Sequence, residues 1–250
     1  SLGIAYSGIL ATRGNLSSQS AWPPTTFNYD EQLKGRNHNQ IPTCCVYRRE
    51  MWNRLGGYRQ RYAPANTGCG AEDAEFWLRA GANGWNAKCV TCAPLFIYSM
   101  GTGNTAKHTY KEPDWLAWHP WTKDGQHPFA SLATPAHISH RVRQYDKPEV
   151  SVIIPCGPGH AHLLVDALDS LEAQTYRKWE AIVINDSGED IDLTPYPYVR
   201  LVTTPGRKGA GYARNRGIEI ARALTFICLD ADDYLQSTFI ERVMAAHSAD

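Results

Sequence analysis

Residues 224–233 read LTFICLDADD, an apolar run that ends in three carboxylates. The run has the length and composition of a buried strand, so the acids would follow the strand's last residue. If the backbone stays extended, Asp230 and Asp232 point to the same side, because side chains alternate along a strand. Carboxylates this close repel one another unless a cation or hydrogen-bond donors offset their charge. A divalent metal that also holds a diphosphate would do this, and a solvated turn explains the residues equally well.

Strands alternate with helices through residues 149–250. Strands are predicted at 150–154, 181–184, 199–202 and 224–229. A helix of about 15 residues should follow the first strand, since its apolar positions have the spacing of one buried face. Those positions are Leu163, Leu164, Ala167, Leu168 and Leu171. This alternation predicts an α/β fold with a mostly parallel sheet, flanking helices and ligands at the carboxyl ends of the strands.

The pattern before residue 149 is less regular. A strand is predicted at 41–47, and a short helix at 48–55 that Gly56 and Gly57 end. A second helix is predicted at 72–81, with two short strands at 89–92 and 95–98. Residues 111–148 are rich in Pro, His and aromatic residues and have no clear periodicity, which is typical of a linker packed against a domain.

Three further segments could bind a ligand. Asp186 follows the second strand of the 149–250 region, where a carboxylate could accept hydrogen bonds from a base or ribose, although an Asx-type turn fits as well. The turn Gly206–Gly211, which includes Lys208, precedes a helix and could hold phosphate, but a plain turn is favoured by its residues alone. Glu72 and Asp73 open a helix, where the helix dipole favours acids without any functional role.

Composition excludes several classes of protein. The chain has 25 Lys and Arg and 25 Asp and Glu, for a formal net charge of zero, so we expect no nucleic-acid partner. Its longest apolar runs are far shorter than the ~20 residues of a transmembrane helix. Seven cysteines with irregular spacing favour reduced thiols. We therefore expect a cytoplasmic protein, either free or peripheral to the inner membrane.

Taken together and in order, these segments resemble family 2 glycosyltransferases, whose fold is of the GT-A type. Residues 149–250 resemble the nucleotide-binding half through VSVIIP (150–155), SLEAQTY (170–176), WE (179–180), ND (185–186), ARNRG (213–217) and LDADD (229–233). Residues 41–98 resemble the acceptor-side half through CVYRREMW (45–52), GGY (56–58), EDAEFWLR (72–79) and PLFIY (94–98).

The resemblance implies a role for each acidic group. Asp186 would contact the nucleoside, Asp230 the ribose or sugar, and Asp232 a Mg²⁺ or Mn²⁺ ion that bridges the diphosphate. Asp73, with Glu72 beside it, would act as the general base. Other donor-site residues by resemblance are Pro155, Lys208 and Arg214. The expected reaction is a single inverting displacement that moves sugar from a nucleotide-diphosphate sugar to a glycan or other hydroxyl acceptor.

The order of the two halves departs from the family. The acceptor-side half (1–110, the first half) precedes a linker (111–148) and the nucleotide-sugar-binding half (149–250, the second half). Tandem modules in a longer parent protein are the favoured explanation, with the chain as a segment of it, and a circular permutant is the other. In either case the halves could dock with each other or with a neighbouring module. The loop Cys156–Gly159 also departs from the family, which puts its nucleoside contact in doubt.

Two other functions fit the same residues. A non-catalytic sugar- or nucleotide-binding protein, or a scaffold, could retain the halves without a complete site. A nucleotidyltransferase would also place acids at strand ends, although the Glu72-Asp73 helix argues mildly against it.

Overall fold

A computed structural model describes residues 2–13, 15–22, 43–59, 72–99, 147–205 and 208–248. Its strands are Leu2–Arg13 (β1), Asn15–Trp22 (β2), Val46–Arg48 (β3), Asn86–Ser99 (β4), Val150–Cys156 (β5), Trp179–Asn185 (β6), Val199–Thr203 (β7), Thr225–Cys228 (β8) and Tyr234–Leu235 (β9). Its α-helices are Arg49–Leu55 (α1), Glu72–Ala82 (α2), Leu164–Glu172 (α3), Ala210–Ile220 (α4) and Phe239–Ser248 (α5). None of these helices is long and apolar enough to cross a membrane.

The nine strands form one mixed sheet in the order β7-β6-β5-β8-β3-β1-β4-β9, with β2 beside β1. Strand β5 is parallel to β6 and β8, β6 to β7, and β1 to β4. The antiparallel ladders (β8 with β3, β3 with β1, β4 with β9, β1 with β2) contain fewer paired residues in total. Parallel ladders therefore contain most of the paired residues, and the predicted α/β class with a mostly parallel sheet flanked by helices is confirmed.

Both halves contribute strands to this sheet. Strands β3, β1 and β4 of the first half lie between β8 and β9 of the second half. Only residues 229–233 separate β8 from β9 along the chain. Asp230, Asp232 and Asp233 consequently lie in a connection whose two flanking strands both pair with strands of the first half.

Apolar side chains cover both faces of the sheet. On one face Val152 and Val183 pack in a cluster with Val46 and Phe96 of the first half. On the other face Ile153 belongs to a cluster that includes aromatic residues of the first half. These are Tyr6, Tyr47, Tyr58, Phe76, Trp77 and Trp85. Strands β5 and β6 are buried at every position, which explains why they read as continuous apolar runs rather than alternating ones.

Most element predictions agree with the structure, and three differ. The strand predicted at 41–47 is the shorter β3, which begins at Val46, since residues 43–45 are not in a strand. The helix after β5 is shorter than predicted, with a 3₁₀ turn at Ala161–Leu163 before α3, although its five predicted apolar positions are all buried. Strand β4 is continuous where two short strands were predicted, because shifts in register opposite β1 absorb the irregular stretch near Pro94. Residues 41–42 and 111–146 of the predicted strand and linker lie outside the described residues.

Of the cysteines that the structure describes, Cys44, Cys45, Cys156 and Cys228 are buried free thiols. Burial raises the pKa of Cys44, Cys45 and Cys228 above the usual thiol value, and that of Cys156 to about 12. A thiol that resists ionisation is a poor nucleophile and a poor metal ligand. These four cysteines therefore behave as small apolar core residues.

Candidate functional site

The acidic segment after β8 forms a turn. The backbone N–H of Asp233 donates to the carbonyl of Asp230 (3.1 Å), which closes the turn. The backbone is therefore not extended here, so the condition under which Asp230 and Asp232 would point to the same side by alternation is not met. The physical reason is tertiary, since the chain must reverse here to pair β9 with β4. Asp230 and Asp232 remain partly exposed, whereas Asp233 is buried.

Arg214 of α4 offsets the charge of the turn. Its Nη2 donates to Asp230 Oδ1 at 2.8 Å, and the arginine side chain is almost fully buried. The guanidinium carbon lies 5.7 Å from the centre of the Tyr58 ring, within the range of a cation–π contact. Arg214 thus contacts the acidic turn of the second half and an aromatic residue of the first half. Its predicted role in donor binding stays a prediction.

His160 lies beside Asp232. The distance from His160 Nε2 to Asp232 Oδ2 is 3.9 Å, and both side chains are largely buried. His160 Nδ1 donates to the carbonyl of Pro158 (3.0 Å), because a carbonyl oxygen can only accept. The histidine directly follows the loop Cys156–Gly159 that departs from the family pattern, and sequence reasoning missed it. Its only signal was its position just after that loop.

The carboxylates of the turn fit a metal ion that would be coordinated by phosphate oxygens of a ligand as well as by the protein. Within the described part of the chain, no group of three or more His, Cys, Asp or Glu residues converges as a metal cage made of protein ligands alone. Mg²⁺ at phosphate-transfer sites usually takes one or two carboxylates and fills its other positions with phosphate oxygens and water. Asp232, with Asp230 on the same turn, supplies hard oxygen ligands of this kind.

Asp186 anchors the turn that precedes α4. It is buried, and its Oδ2 accepts hydrogen bonds from the backbone N–H groups of Lys208 and Gly209, both at 2.7 Å. Its Oδ1 accepts from the hydroxyl of Thr204. Lys208 is exposed. The expected Asx-type turn also forms, but Asn185 makes it, accepting from the backbone N–H of Ser187 at 3.0 Å.

Pro155 lies near the carboxyl end of β5, next to Asp186. It is opposite Ile184 in the parallel ladder with β6. The backbone N–H of Asp186 donates to the carbonyl of Cys156 at 2.9 Å, which ties the two strand ends together. The ends of β5, β6 and β8 thus place Pro155, Asp186 and Asp230 at one edge of the sheet, as expected for neighbouring parallel strands.

Asp73 lies at the start of α2 in the first half. It is half-buried, and its Oδ2 accepts a hydrogen bond from Thr43 Oγ1 at 2.9 Å. The side chain of Glu72 lies outside the described residues. Thr43 directly precedes Cys44, which lies near carboxylates of the second half.

Cys44 lies near the acidic turn, and its neighbour Cys45 lies near Asp73. Burial contributes most to the raised pKa of Cys44, and the Asp233 and Asp230 carboxylates add to the rise. Burial is again the main cause for Cys45, and the Asp73 carboxylate adds to it. Carboxylates from both halves therefore lie within electrostatic reach of one dipeptide. At one edge of the sheet, the structure brings together five of the predicted site residues, namely Pro155, Asp186, Arg214, Asp230 and Asp232. Asp73 belongs to the first half, at the start of α2.

Comparison with known proteins finds similarity to glycosyltransferases. Residues 151–250 match the family described as Glycosyl transferase family 2. The uncharacterized glycosyltransferase YibD of Escherichia coli (strain K12) is 38% identical over 84 residues, which are 31% of this chain and 24% of YibD. The succinoglycan biosynthesis protein ExoO of Rhizobium meliloti (strain 1021) is 30% identical over 102 residues, which are 39% of this chain and 29% of ExoO.

The aligned regions thus span less than a third of the length of either relative. Among solved structures, residues 1-349 of S. aureus TarS in complex with UDP match at 22% identity with a TM-score of 0.36. That match covers 40% of this chain and 32% of the TarS chain. A TM-score at this level is too low to bear on the geometry of the site.

Proposed function

We propose that the chain contains the active site of a nucleotide-sugar-dependent glycosyltransferase of family 2. One observation carries the proposal, namely the turn Asp230–Asp233 at the carboxyl end of β8, with Arg214 against it, inside the region that matches the family. The transferred group would be a sugar from a nucleoside diphosphate donor. The acceptor would be a hydroxyl of a glycan, and the name of the relative ExoO, a succinoglycan biosynthesis protein, supports a polysaccharide.

The donor would lie along the carboxyl ends of β5, β6 and β8. Asp186 would contact the nucleoside, and the turn that it anchors at Lys208 and Gly209 would face the diphosphate at the start of α4. Asp230 would contact the ribose or the sugar. Asp232 would hold Mg²⁺ or Mn²⁺, which when bound would offset negative charge on the departing diphosphate.

Asp73 would accept the proton of the acceptor hydroxyl. The bond from the acceptor oxygen to the anomeric carbon would form while the bond from that carbon to the diphosphate oxygen breaks. The nucleoside diphosphate would leave with the electron pair, and the anomeric configuration would invert. The hydrogen bond from Thr43 to Asp73 supports this role, because it orients the carboxylate without neutralising it.

The two halves would form one catalytic unit in which the acceptor-side half comes first. The pairing of β3 with β8 and of β4 with β9 supports this arrangement. We propose that the order arose from tandem modules of a longer protein. In that protein a half of this chain could also pair with the complementary half of a neighbouring module.

The first test is calorimetric titration of the chain with UDP and with GDP, each with and without Mn²⁺. We expect metal-dependent binding of one nucleotide, loss of that binding in Asp232→Ala, and no change in the control Asp192→Ala. Asp192 is an exposed carboxylate that accepts hydrogen bonds from nearby Thr194. Asp73→Asn should bind nucleotide normally but slow sugar transfer by about 10²–10⁴-fold, the usual contribution of a general base.

Other outcomes would favour the alternative functions. A folded chain that ignores both nucleotides with Mn²⁺ would indicate a scaffold. Binding of nucleotide without transfer to any glycan acceptor would indicate a non-catalytic binding protein. Consumption of a nucleoside triphosphate together with a sugar phosphate, rather than of a nucleotide-sugar, would indicate a nucleotidyltransferase.

A further inference from the structure

Helix α4 contacts the donor-side acids at two points. The backbone N–H of Gly209, directly before the helix, donates to Asp186 at 2.7 Å. One turn later Arg214 donates to Asp230 at 2.8 Å. The position of this helix is therefore tied to both carboxylates that the proposed function assigns to the donor.

The side chain of the next residue of the helix, Asn215, makes three hydrogen bonds to the first half. Its Nδ2 donates to the carbonyl of Tyr58 (2.8 Å), and its Oδ1 accepts from the backbone N–H of Tyr58 (2.8 Å) and from Trp52 Nε1 (3.2 Å). One side-chain amide thus satisfies both backbone groups of a residue 157 positions away. Gly57 allows this approach, since its φ is +73° and a Cβ there would lie 2.8 Å from Asn215 Oδ1.

Helix α2, which carries Asp73, holds the same segment from its other side. Arg79 Nη2 donates to the carbonyl of Gly57 at 2.7 Å, and its Nη1 donates to the carbonyl of Leu55. The Tyr58 ring stacks on Phe76 of α2, with 4.6 Å between the ring centres. Residues 55–58 therefore form a bridge that Asn215 fixes on one side and α2 fixes on the other.

We infer that Asn215 is a positioning residue that sets the place of α2, and so of Asp73, relative to Asp230. The inference rests on the proposed function and adds a role for a residue that the resemblance left unassigned. Arg214 and Asn215 are adjacent on one helix, so the same short element contacts the acidic turn and the bridge. A displaced bridge would leave the donor contacts of α4 intact but move the base away from the acceptor hydroxyl.

Steady-state kinetics of Asn215→Ala, Asn215→Asp and Trp52→Phe test this role. Asn215→Ala should lower kcat for transfer by about 10–100-fold, since a 1 Å misplacement can cost 10²-fold, while KM for the donor and Kd for the nucleotide with Mn²⁺ change by less than about threefold. Asn215→Asp keeps the acceptor oxygen but cannot donate to Tyr58, so its kcat should be intermediate. Trp52→Phe removes only the third hydrogen bond and should stay near wild type.

Amide hydrogen exchange of the ligand-free chain gives a readout that does not depend on transfer. Asn215→Ala should increase exchange in residues 53–58 and 72–82 at least about tenfold, and leave β5 and β6 unchanged, because local opening is confined to the elements that lose contacts. Uniform loss of protection, or none, would overturn the positioning role, as would parallel losses in kcat and nucleotide affinity. If wild type transfers no sugar but the selective exchange change occurs, the proposed function fails and the structural link between α4 and α2 stands.

Discussion

Glu180 is a buried carboxylate, and both of its oxygens accept hydrogen bonds from other residues of the protein. Its Oε1 accepts from Ser151 Oγ and from the backbone N–H of Arg222, both at 2.6 Å, and its Oε2 accepts from Arg222 Nε at 2.9 Å. Burial by itself would raise the pKa of Glu180, but these hydrogen bonds and the charge of Arg222 outweigh it and lower the pKa. Glu180 is near the amino end of β6, away from the acidic turn, so its role is structural.

Glu180→Gln should destabilise the fold by about 1.5–3 kcal/mol near neutral pH, the usual contribution of hydrogen bonds to a charged group. Because the pKa of Glu180 is lower in the folded protein than in the unfolded chain, its charge stabilises the fold at pH values above the unfolded pKa of about 4.3. This stabilisation is lost as the pH falls through the pKa of the folded state. The difference in the free energy of unfolding between wild type and Glu180→Gln should therefore shrink as the pH falls below about 4. Urea unfolding from pH 6 to pH 3 measures it.

The control for this prediction is Glu219→Gln, which removes an exposed carboxylate paired with Arg216. It should change the free energy of unfolding by less than about 0.5 kcal/mol, because exposed ion pairs contribute little. If the loss in the free energy of unfolding caused by Glu180→Gln stays constant down to pH 3, the charge of Glu180 does not stabilise the fold.

At the scale of elements, α4 packs directly on β5 through a glycine. Gly217 faces Ile153, and a Cβ at this position would lie 2.3 Å from Ile153 Cγ2, which is closer than atoms can approach. Ile153 is fully buried in the middle of β5, so it cannot move aside without disturbing the core. The glycine therefore sets the distance between the helix and the sheet. That distance in turn places Arg214 against the acidic turn of the second half and Asn215 against the first half.

Gly217→Ala should lower the free energy of unfolding by about 1–3 kcal/mol, the usual cost of overpacking a core. The effect opposes the gain of up to about 1 kcal/mol that Gly to Ala normally brings within a helix. Ile153→Ala removes the clashing methyl group, so Gly217→Ala should cost less in that background. Chemical denaturation of the four proteins of this double-mutant cycle provides the test, and strict additivity would contradict the proposed contact.

At the scale of the whole molecule, Arg49 joins the halves at the end of α4. This first-half residue donates to the carbonyls of Ile218 (3.0 Å), Ala221 (2.7 Å) and Ala223 (3.0 Å). Carbonyl groups at the end of a helix lack partners within the helix, and a positive charge there also complements the helix dipole. The guanidinium therefore caps a helix of one half with a side chain from the other.

Arg49→Ala should destabilise the chain by about 2–4 kcal/mol, since several charge-assisted hydrogen bonds are lost together. Arg49→Lys should recover only part of this, because a single ammonium group lacks the planar fork of donors. The control Arg54→Ala, on the same helix, removes an exposed ion pair with Glu50 and should change little. Fluorescence and circular dichroism should report one coincident unfolding transition, whereas separate transitions for the two halves would contradict the single sheet.

Local patterns in the sequence predicted much of the second half. Strands β5 to β8, the buried face of α3 and the positions of Asp186 and Asp230 at strand ends all follow from periodicity and from residues close in the chain. Prediction succeeded there because a buried parallel strand and an amphipathic helix each carry their signal within a few residues. The roles of Asp73, Asp186, Asp230 and Asp232 stay predictions that the variants above can test.

The tertiary structure decided what depends on distant residues. The turn at Asp230 follows from the pairing of β9 with β4, and the bond of Asn215 to Tyr58 joins residues 157 positions apart. The contact of His160 with Asp232 likewise joins separate loops. Such contacts carry no local pattern, because their geometry is set by how strands pair and helices pack. The sequence alone thus determined the elements and the candidate acids, whereas long-range pairing decided how the two halves meet around them.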